Sequence, residues 1–250
     1  MKNIAILIEY DGLNYSGWQI QPNGISIQET LENALTKLYK RKISIIGAGR
    51  TDAQVHAYGQ VANFKVPENN IPFEKIPVAI NSLLNPDIRV LKAKEVPLEF
   101  NSRFDAIARE YVYKIALKYS VFKRNFYTYI PYQLNIEKLF AIADLFLGEH
   151  NFTAFSKHNP DTNSYICNVE FSSWEKIDKF HYLYRIKANR FVYGMVRSIV
   201  GTMIDYARGY KSKDEIEAAF AKQTRDKISA LAQPFGLYLN KIFYIDNIFD

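Results

Sequence analysis

Apolar residues run unbroken from Ile4 to Ile8 and stop at Tyr10-Asp11-Gly12, a pattern that predicts a buried strand closed by a turn. The period then changes. Ile27, Leu31, Ala34, Leu35 and Leu38 form one helical stripe, and Ser26 stands three residues before Glu29 as a capping-box signature for its start. Ile43 to Ile46 and Val61 to Val66 are expected as strands, Phe73 to Leu84 as a short helix, and Ile88 to Ala93 as a further strand. The resulting order is βαββαβ.

A similar order follows Phe100. Tyr111, Tyr113, Ile115 and Leu117 alternate with Val112, Lys114, Ala116 and Lys118, as in a strand. Ile136, Leu139, Phe140, Ala143, Phe146 and Leu147 make a helical stripe that Gly148 is placed to terminate. Strands are predicted over Ile166 to Trp174 and Tyr182 to Ala188, and a helix over Tyr193 to Ala207 with Val196, Ile199, Val200, Met203 and Ala207 on its apolar face. A helix capped by Ser212 and Glu215 and a last strand over Gly236 to Ile245 complete the chain. The economical reading is α+β: two split-βαβ halves, residues 1–104 and 105–250. No Gly/Ser linker or low-complexity tract separates them, so the expectation is a shared sheet or tight interface with a ligand cleft between the halves.

Composition adds limits. The 250 residues can bury a sizeable core, and the 18 Tyr and 17 Phe serve either that core or stacking against bases. The net charge of +6 favours acidic partners without reaching the excess of a tail-driven nucleic-acid binder. One cysteine, Cys167, excludes an intrachain disulfide, and the four histidines show no metal-ligand spacing. The N-terminal apolar run is too short, and too soon followed by Glu9 and Asp11, for a signal peptide or a membrane span, so a cytoplasmic protein is expected.

The stretch GAGRTDAQVHAYGQ, residues 47–60, does not read as packing material. Gly47, Gly49 and Gly59 bracket Arg50, Thr51 and Asp52 between two apolar runs. Asp52 there is either an Asx-turn residue or a functional carboxylate, and Arg50 either a solvated charge or its companion. A glycine-bounded loop carrying both an acid and an arginine between buried strands favours function.

"GRTDAQVHAYGQVANF" resembles the G-R-T-D-x-G-V-H-A signature of the tRNA pseudouridine synthase A (TruA) family. Four further stretches fit that family in order: "YDGLNYSGWQIQPNGISIQETLENAL", "FNSRFDAIAREYVYKI", "LGEHNFTAF" and "RFVYGMVRSIVGTMIDYARG". The resemblance spans nearly the whole chain. It implies two ferredoxin-like halves sharing a central antiparallel sheet, the pseudouridine synthase fold, with the active-site cleft between the halves. It also implies isomerisation of uridine to pseudouridine in the anticodon stem-loop of tRNA, positions 38 to 40 in tRNA numbering, by a homodimer that needs no cofactor and no metal.

By the same resemblance Asp52 falls on the catalytic aspartate. Whether it attacks the ribose or removes a ribose proton stays open. A free Asp titrates at about 3.9 and burial raises it, so a neighbouring cation is expected to keep it ionised. Arg197 is the candidate, lying with Gly194, Ser198, Gly201 and Asp205 on a stripe of mostly small residues that another segment can approach; its plainer alternative is a pairing only with Asp205 or solvent. Tyr111 matches the tyrosine that packs against the target uracil, Arg50 the arginine that helps extract the base, and Thr51 its motif neighbour. Gly236, Leu237 and Leu239 match a G-L-x-L strand that shapes the pocket wall. His56 is read as a satisfied structural histidine. Lys40-Arg41-Lys42 and Lys123-Arg124 are the densest basic groups, each either a solvated face or a phosphate contact. Two departures stand out: Gln54 replaces the family's glycine, at a cost on the order of 1 kcal/mol if φ is positive there, and Tyr165 replaces an arginine. The alternative function is a tRNA-binding protein or RNA-folding chaperone of the same fold that no longer catalyses.

Overall fold

The computed structural model describes residues 1–67, 71–160, 162–225 and 228–249. In chain order its elements are β1 (Lys2–Tyr10), α1 (Ile27–Tyr39), β2 (Ile46–Gly47), β3 (His56–Val66), α2 (Ile76–Asn81), β4 (Ile88–Val96), β5 (Ala106–Ala116), β6 (Thr128–Tyr129), α3 (Ile136–Ala141), β7 (Gly148–Asn151), β8 (Ile166–Lys176), β9 (His181–Ala188), α4 (Met195–Ala207), α5 (Lys213–Lys222) and β10 (Leu237–Tyr244). They form two compact units, Met1–Arg109 with Tyr238–Asp250, and Glu110–Leu237. The sequence reading placed a division after residue 104 and kept the last strand with the second half. Here the division follows Arg109, and β10 from Tyr238 onward belongs to the first unit.

In the first unit the strand order is β4-β1-β3-β10. β1 runs antiparallel to both β3 and β4, whereas β10 runs parallel to β3 through Tyr238↔His56 and Leu239↔Ala57. β1 is therefore a central strand, paired along both edges, and Ile4, Ala5, Ile6 and Ile8 of its apolar run are buried. Ile4 lies opposite Phe64 on one face, and Tyr39 at the end of α1 meets the Phe64 ring at 6.0 Å. The other face carries a buried amide pair. Asn63 Nδ2 donates to Asn3 Oδ1 at 3.0 Å, Asn3 Nδ2 donates to the carbonyls of Pro97 and Phe100 at 2.9 Å each, and Ser102 N donates to Asn63 Oδ1 at 2.9 Å. Those bonds strap residues 97–102 across the sheet and satisfy two amides that would otherwise be costly to bury.

Two expectations in this unit need correction. Only Ile46–Gly47 pairs as a strand, because the N–H groups of Ile43 and Ile45 donate instead to Thr36 Oγ1 at 3.3 Å and Glu32 Oε1 at 3.0 Å on α1. The helix expected to Leu84 is a 3-10 turn, Phe73–Lys75, followed by α2 ending at Asn81. Asn81 explains the early stop: its side chain donates to Val90 O and accepts from Val90 N, both at 2.8 Å, pinning the helix end to β4.

The second unit orders its strands β5-β9-β8-β7, with β6 beside β5. α4 is its central helix: Met195, Val196, Ile199, Val200 and Met203 are buried, and Trp174 Nε1 donates to Met203 Sδ at 3.4 Å. α5 carries both arms of its capping box, Ser212 Oγ accepting from Glu215 N and Glu215 Oε2 accepting from Ser212 N. α3 is capped by Asn135, which accepts from Lys138 N at 2.9 Å, and passes into a 3-10 stretch, Ile142–Phe146. The expected single helix is thus two pieces, ending before Gly148, whose φ of 90° turns the chain into β7. Burial pushes the hydroxyls of Tyr113 and Tyr184 well above the usual tyrosine range.

Candidate active site

The loop carrying Asp52 is built from below by the segment that follows β1. Tyr10 Oη lies 2.8 Å from Thr51 Oγ1, both buried, and Trp18 N donates to the Thr51 carbonyl at 3.0 Å. Gly17, with φ of 96°, passes so close that a Cβ there would stand 2.5 Å from Thr51 O and 3.0 Å from Asp52 C. No side chain fits at that crossing. Gln60 clamps the loop's other end, accepting from Gly49 N at 3.2 Å and donating to Gly49 O at 2.7 Å. Arg109 braces the neighbouring chain by donating to the carbonyls of Ala48, Arg103 and Ala106 at 3.3, 2.6 and 2.9 Å. The loop backbone is thus fixed while Asp52 is half-buried and Arg50 exposed.

Beyond Asp52 the chain turns, Val55 N donating to Asp52 O at 3.2 Å and Gln54 N to Tyr15 O at 3.2 Å. Gln54 holds φ at 64°, the left-handed conformation that a glycine would adopt without strain. Tyr15 donates its hydroxyl to Asp87 Oδ1 at 2.7 Å, and its pKa is pushed up to about 12, by burial first and by that bond second. His56 is buried at the start of β3, its Nδ1 3.1 Å from Gly12 N and 3.0 Å from Asp11 Oδ1, its ring stacked on Tyr238 at 4.7 Å. Leu239 is buried on β10 opposite Ala57.

In the second unit Tyr111 is buried on β5 and meets Phe191 edge-on, with ring centroids 4.9 Å apart. Phe191 lies just ahead of α4. On that helix Arg197 Nε donates to Ala232 O at 2.8 Å while Ala232 N donates to Arg197 O at 3.0 Å. The stripe expected to admit another segment does so: a Cβ on Gly201 would stand 2.2 Å from Ala230 O. Asp205 pairs with Arg208 at 3.2 Å. The next carbonyl, Gln233 O, accepts from Tyr113 Oη at 2.8 Å, and Gly236 abuts Tyr113 and Thr128, where a Cβ would stand 2.9 and 2.6 Å from their nearest atoms. Leu237 is buried beside it. Tyr165 is half-buried, and its carbonyl accepts from Phe152 N at 2.9 Å.

Several supports were not anticipated from sequence. Tyr10 and Trp18 lie inside a recognised motif and Gln60 closes another, so their positions were visible though their partners were not. The carbonyl of Ala232 leaves no side-chain signature. Among the described residues no group of three or more His, Cys, Asp and Glu side chains stands together as metal ligands, and no helix is long and apolar enough to cross a membrane.

An α+β protein whose strands pair mostly antiparallel, with an Arg-Thr-Asp loop fixed by buried backbone bonds, is thereby defined as to class. The family described as tRNA pseudouridine synthase matches residues 6–105 and 142–245, and this chain belongs to it. The chain is 42% identical over 246 residues to tRNA pseudouridine synthase A of Thermoanaerobacter sp. (strain X514), covering 98% of this chain and 100% of that protein. It is 37% identical over 245 residues to the protein of that name from Bacillus pumilus (strain SAFR-032), covering 96% and 98%. With the protein of that name from Bacteroides fragilis it shares 38% over 250 residues, covering 100% and 99%.

Proposed function

We propose that this chain isomerises uridine to pseudouridine at positions 38 to 40 of the tRNA anticodon stem-loop, with Asp52 as the catalytic carboxylate. The observation that carries the reading is the Asp52 loop itself: Thr51 is held at its hydroxyl by Tyr10 and at its carbonyl by Trp18, with Gly17 pressed beneath. Fixing a backbone on three sides while leaving its acid half-buried is preorganisation of a reacting group. Family membership supplies the substrate class.

The reaction breaks the bond from ribose C1′ to uracil N1 and makes one from C1′ to C5; C5 gives up a proton and N1 gains one. Substrate and product are isomers, so the balance calls for no oxidant, reductant or group donor; resemblance to the family supports a reaction without cofactor or metal. Asp52 acts at the glycosidic carbon, on a base turned out of the stack. In this reading Arg197 is its ionising partner, Tyr111 packs on the uracil, and Arg50 occupies the space the base leaves, with Thr51 holding the loop. Gly236, Leu237 and Leu239 shape the wall. In the same reading the enzyme works as a cytoplasmic homodimer. Resemblance to the family supports these last assignments.

The test is incubation with unmodified tRNA followed by carbodiimide-stop primer extension. Stops in the anticodon arm support the proposal. Bound tRNA without stops would favour the non-catalytic RNA-binding alternative.

A further inference from the structure

One basic group singled out in the sequence, Lys123-Arg124, has no part in the site above. It lies in the second unit on the connection from β5 to β6, against the turn from β8 to β9, where Leu117 N donates to Phe180 O at 2.8 Å. The surface is built of lysines laid over aromatic rings. Lys114 Nζ and Lys123 Nζ stand 5.4 and 5.2 Å from the centroid of the same Tyr127 ring. Lys118 and Lys179 stand 5.6 and 5.3 Å from that of Phe180. Two ammonium groups drawn to one ring repel each other, and a polyanion relieves that repulsion.

One acid within this surface, Asp178, is turned toward the backbone of the turn and His181. Asp178 accepts from Phe180 N at 2.8 Å and lies 2.8 Å from His181 Nδ1, while His181 Nε2 lies 3.1 Å from Lys123 Nζ. A lysine ammonium has only donors, so His181 accepts at Nε2 and carries its proton at Nδ1, toward Asp178. The backbone bond from Phe180 and the His181 contact hold the Asp178 carboxyl below the usual range. Lys123 is thus held in place between His181 and the Tyr127 ring. Beside it Phe122 is 90% exposed, a ring with no burial to explain it. Interleaved lysines and an open ring fit a nucleic acid, because phosphates take the charges and an unpaired base takes the ring. The core of a protein–protein interface is depleted in lysine.

We propose that this Lys/aromatic surface is a second tRNA-binding surface, contacting phosphates through Lys118, Lys123 and Lys179 and taking no part in the chemistry. It rests on tRNA being the substrate, as proposed above. The test replaces the three together, Lys118→Ala, Lys123→Ala and Lys179→Ala, in the full chain, alongside the three Lys→Arg changes, with melting curves verifying both. Fluorescence anisotropy on unmodified tRNA across a salt series gives the slope of log K against log salt. The alanine variant should lose about 2 to 3 from that slope and on the order of tenfold in affinity, and the arginine variant should keep both. KM for tRNA should rise with kcat unchanged. A wild-type slope and KM in the alanine variant would overturn the proposal. So would an unchanged slope with an altered oligomeric state by light scattering, which would assign the surface to a second copy of the chain. If the wild-type protein makes no pseudouridine yet the alanine variant loses slope, the proposed activity fails and this surface stands; pseudouridine with an unchanged slope gives the reverse.

Discussion

Tyr10 Oη and Thr51 Oγ1 lie 2.8 Å apart in the interior, joining the end of β1 to the residue before Asp52. Removing the Tyr10 hydroxyl takes this partner from the buried Thr51 hydroxyl, which costs about 1 to 3 kcal/mol. Tyr10→Phe should therefore lower unfolding stability by about that amount. Because the loop would be held at fewer points, kcat should also fall, by about tenfold, with KM for tRNA little changed. Denaturant melts and steady-state kinetics check both, and an unaltered kcat would show that the bond serves stability alone.

Gln54 sits at φ 64°, in the left-handed region that favours glycine. Gln54→Gly removes strain of about 1 kcal/mol and gives back part of it through a more flexible unfolded chain. The expected net effect is stabilising, a rise in Tm of about 1 to 3 °C, read by calorimetry. A fall in Tm would mean that the glutamine makes a compensating contact.

Much of this architecture was legible because its causes are local. β1, α1 and α4 announce themselves by period, and α5 by the Ser212 and Glu215 cap. The failures have long-range causes. Ile43 and Ile45 look like strand residues but spend their N–H groups on Thr36 and Glu32, side chains of a preceding helix. β7, Gly148–Asn151, is polar and short, and is a strand through its antiparallel pairing with β8, a partner distant in sequence. In the site, the Arg-Thr-Asp loop was visible through its glycines and motif, and the approach of a segment to the α4 stripe through its small residues. That the Arg197 side chain donates to the Ala232 carbonyl was not visible, since a backbone acceptor has no residue type.

Gly201 should not tolerate alanine. The added methyl would stand 2.2 Å from Ala230 O, so residues 230–232 must move off α4 and the paired bonds between Arg197 and Ala232 must stretch. Overpacking of this kind costs about 1 to 3 kcal/mol. Gly201→Ala is expected to lower both melting temperature and turnover, whereas Lys213→Ala, at an exposed position on α5, should change neither.

Alkaline pH should weaken the fold through Tyr15. Its pKa is about 12 in the folded protein against 10 for a free tyrosine, so the unfolded chain loses its proton first as pH rises. The stabilisation is complete below pH 10 and is lost between about 10 and 12. Tyr113, Tyr184 and Tyr244, also raised by burial, act in the same direction. Urea unfolding at stepped pH should show the decline, and Tyr15→Phe should reduce its steepness.

The central claim is that Asp52 performs the isomerisation, and the C5 proton offers a direct readout because joining C1′ to C5 expels it. Unmodified tRNA labelled with tritium at uridine C5 should release tritium to water with the wild-type protein. With Asp52→Asn, release should fall to background while tRNA binding is retained, since the substitution keeps the size of the side chain and removes its charge. Tritium release by Asp52→Asn at the wild-type rate would contradict the account.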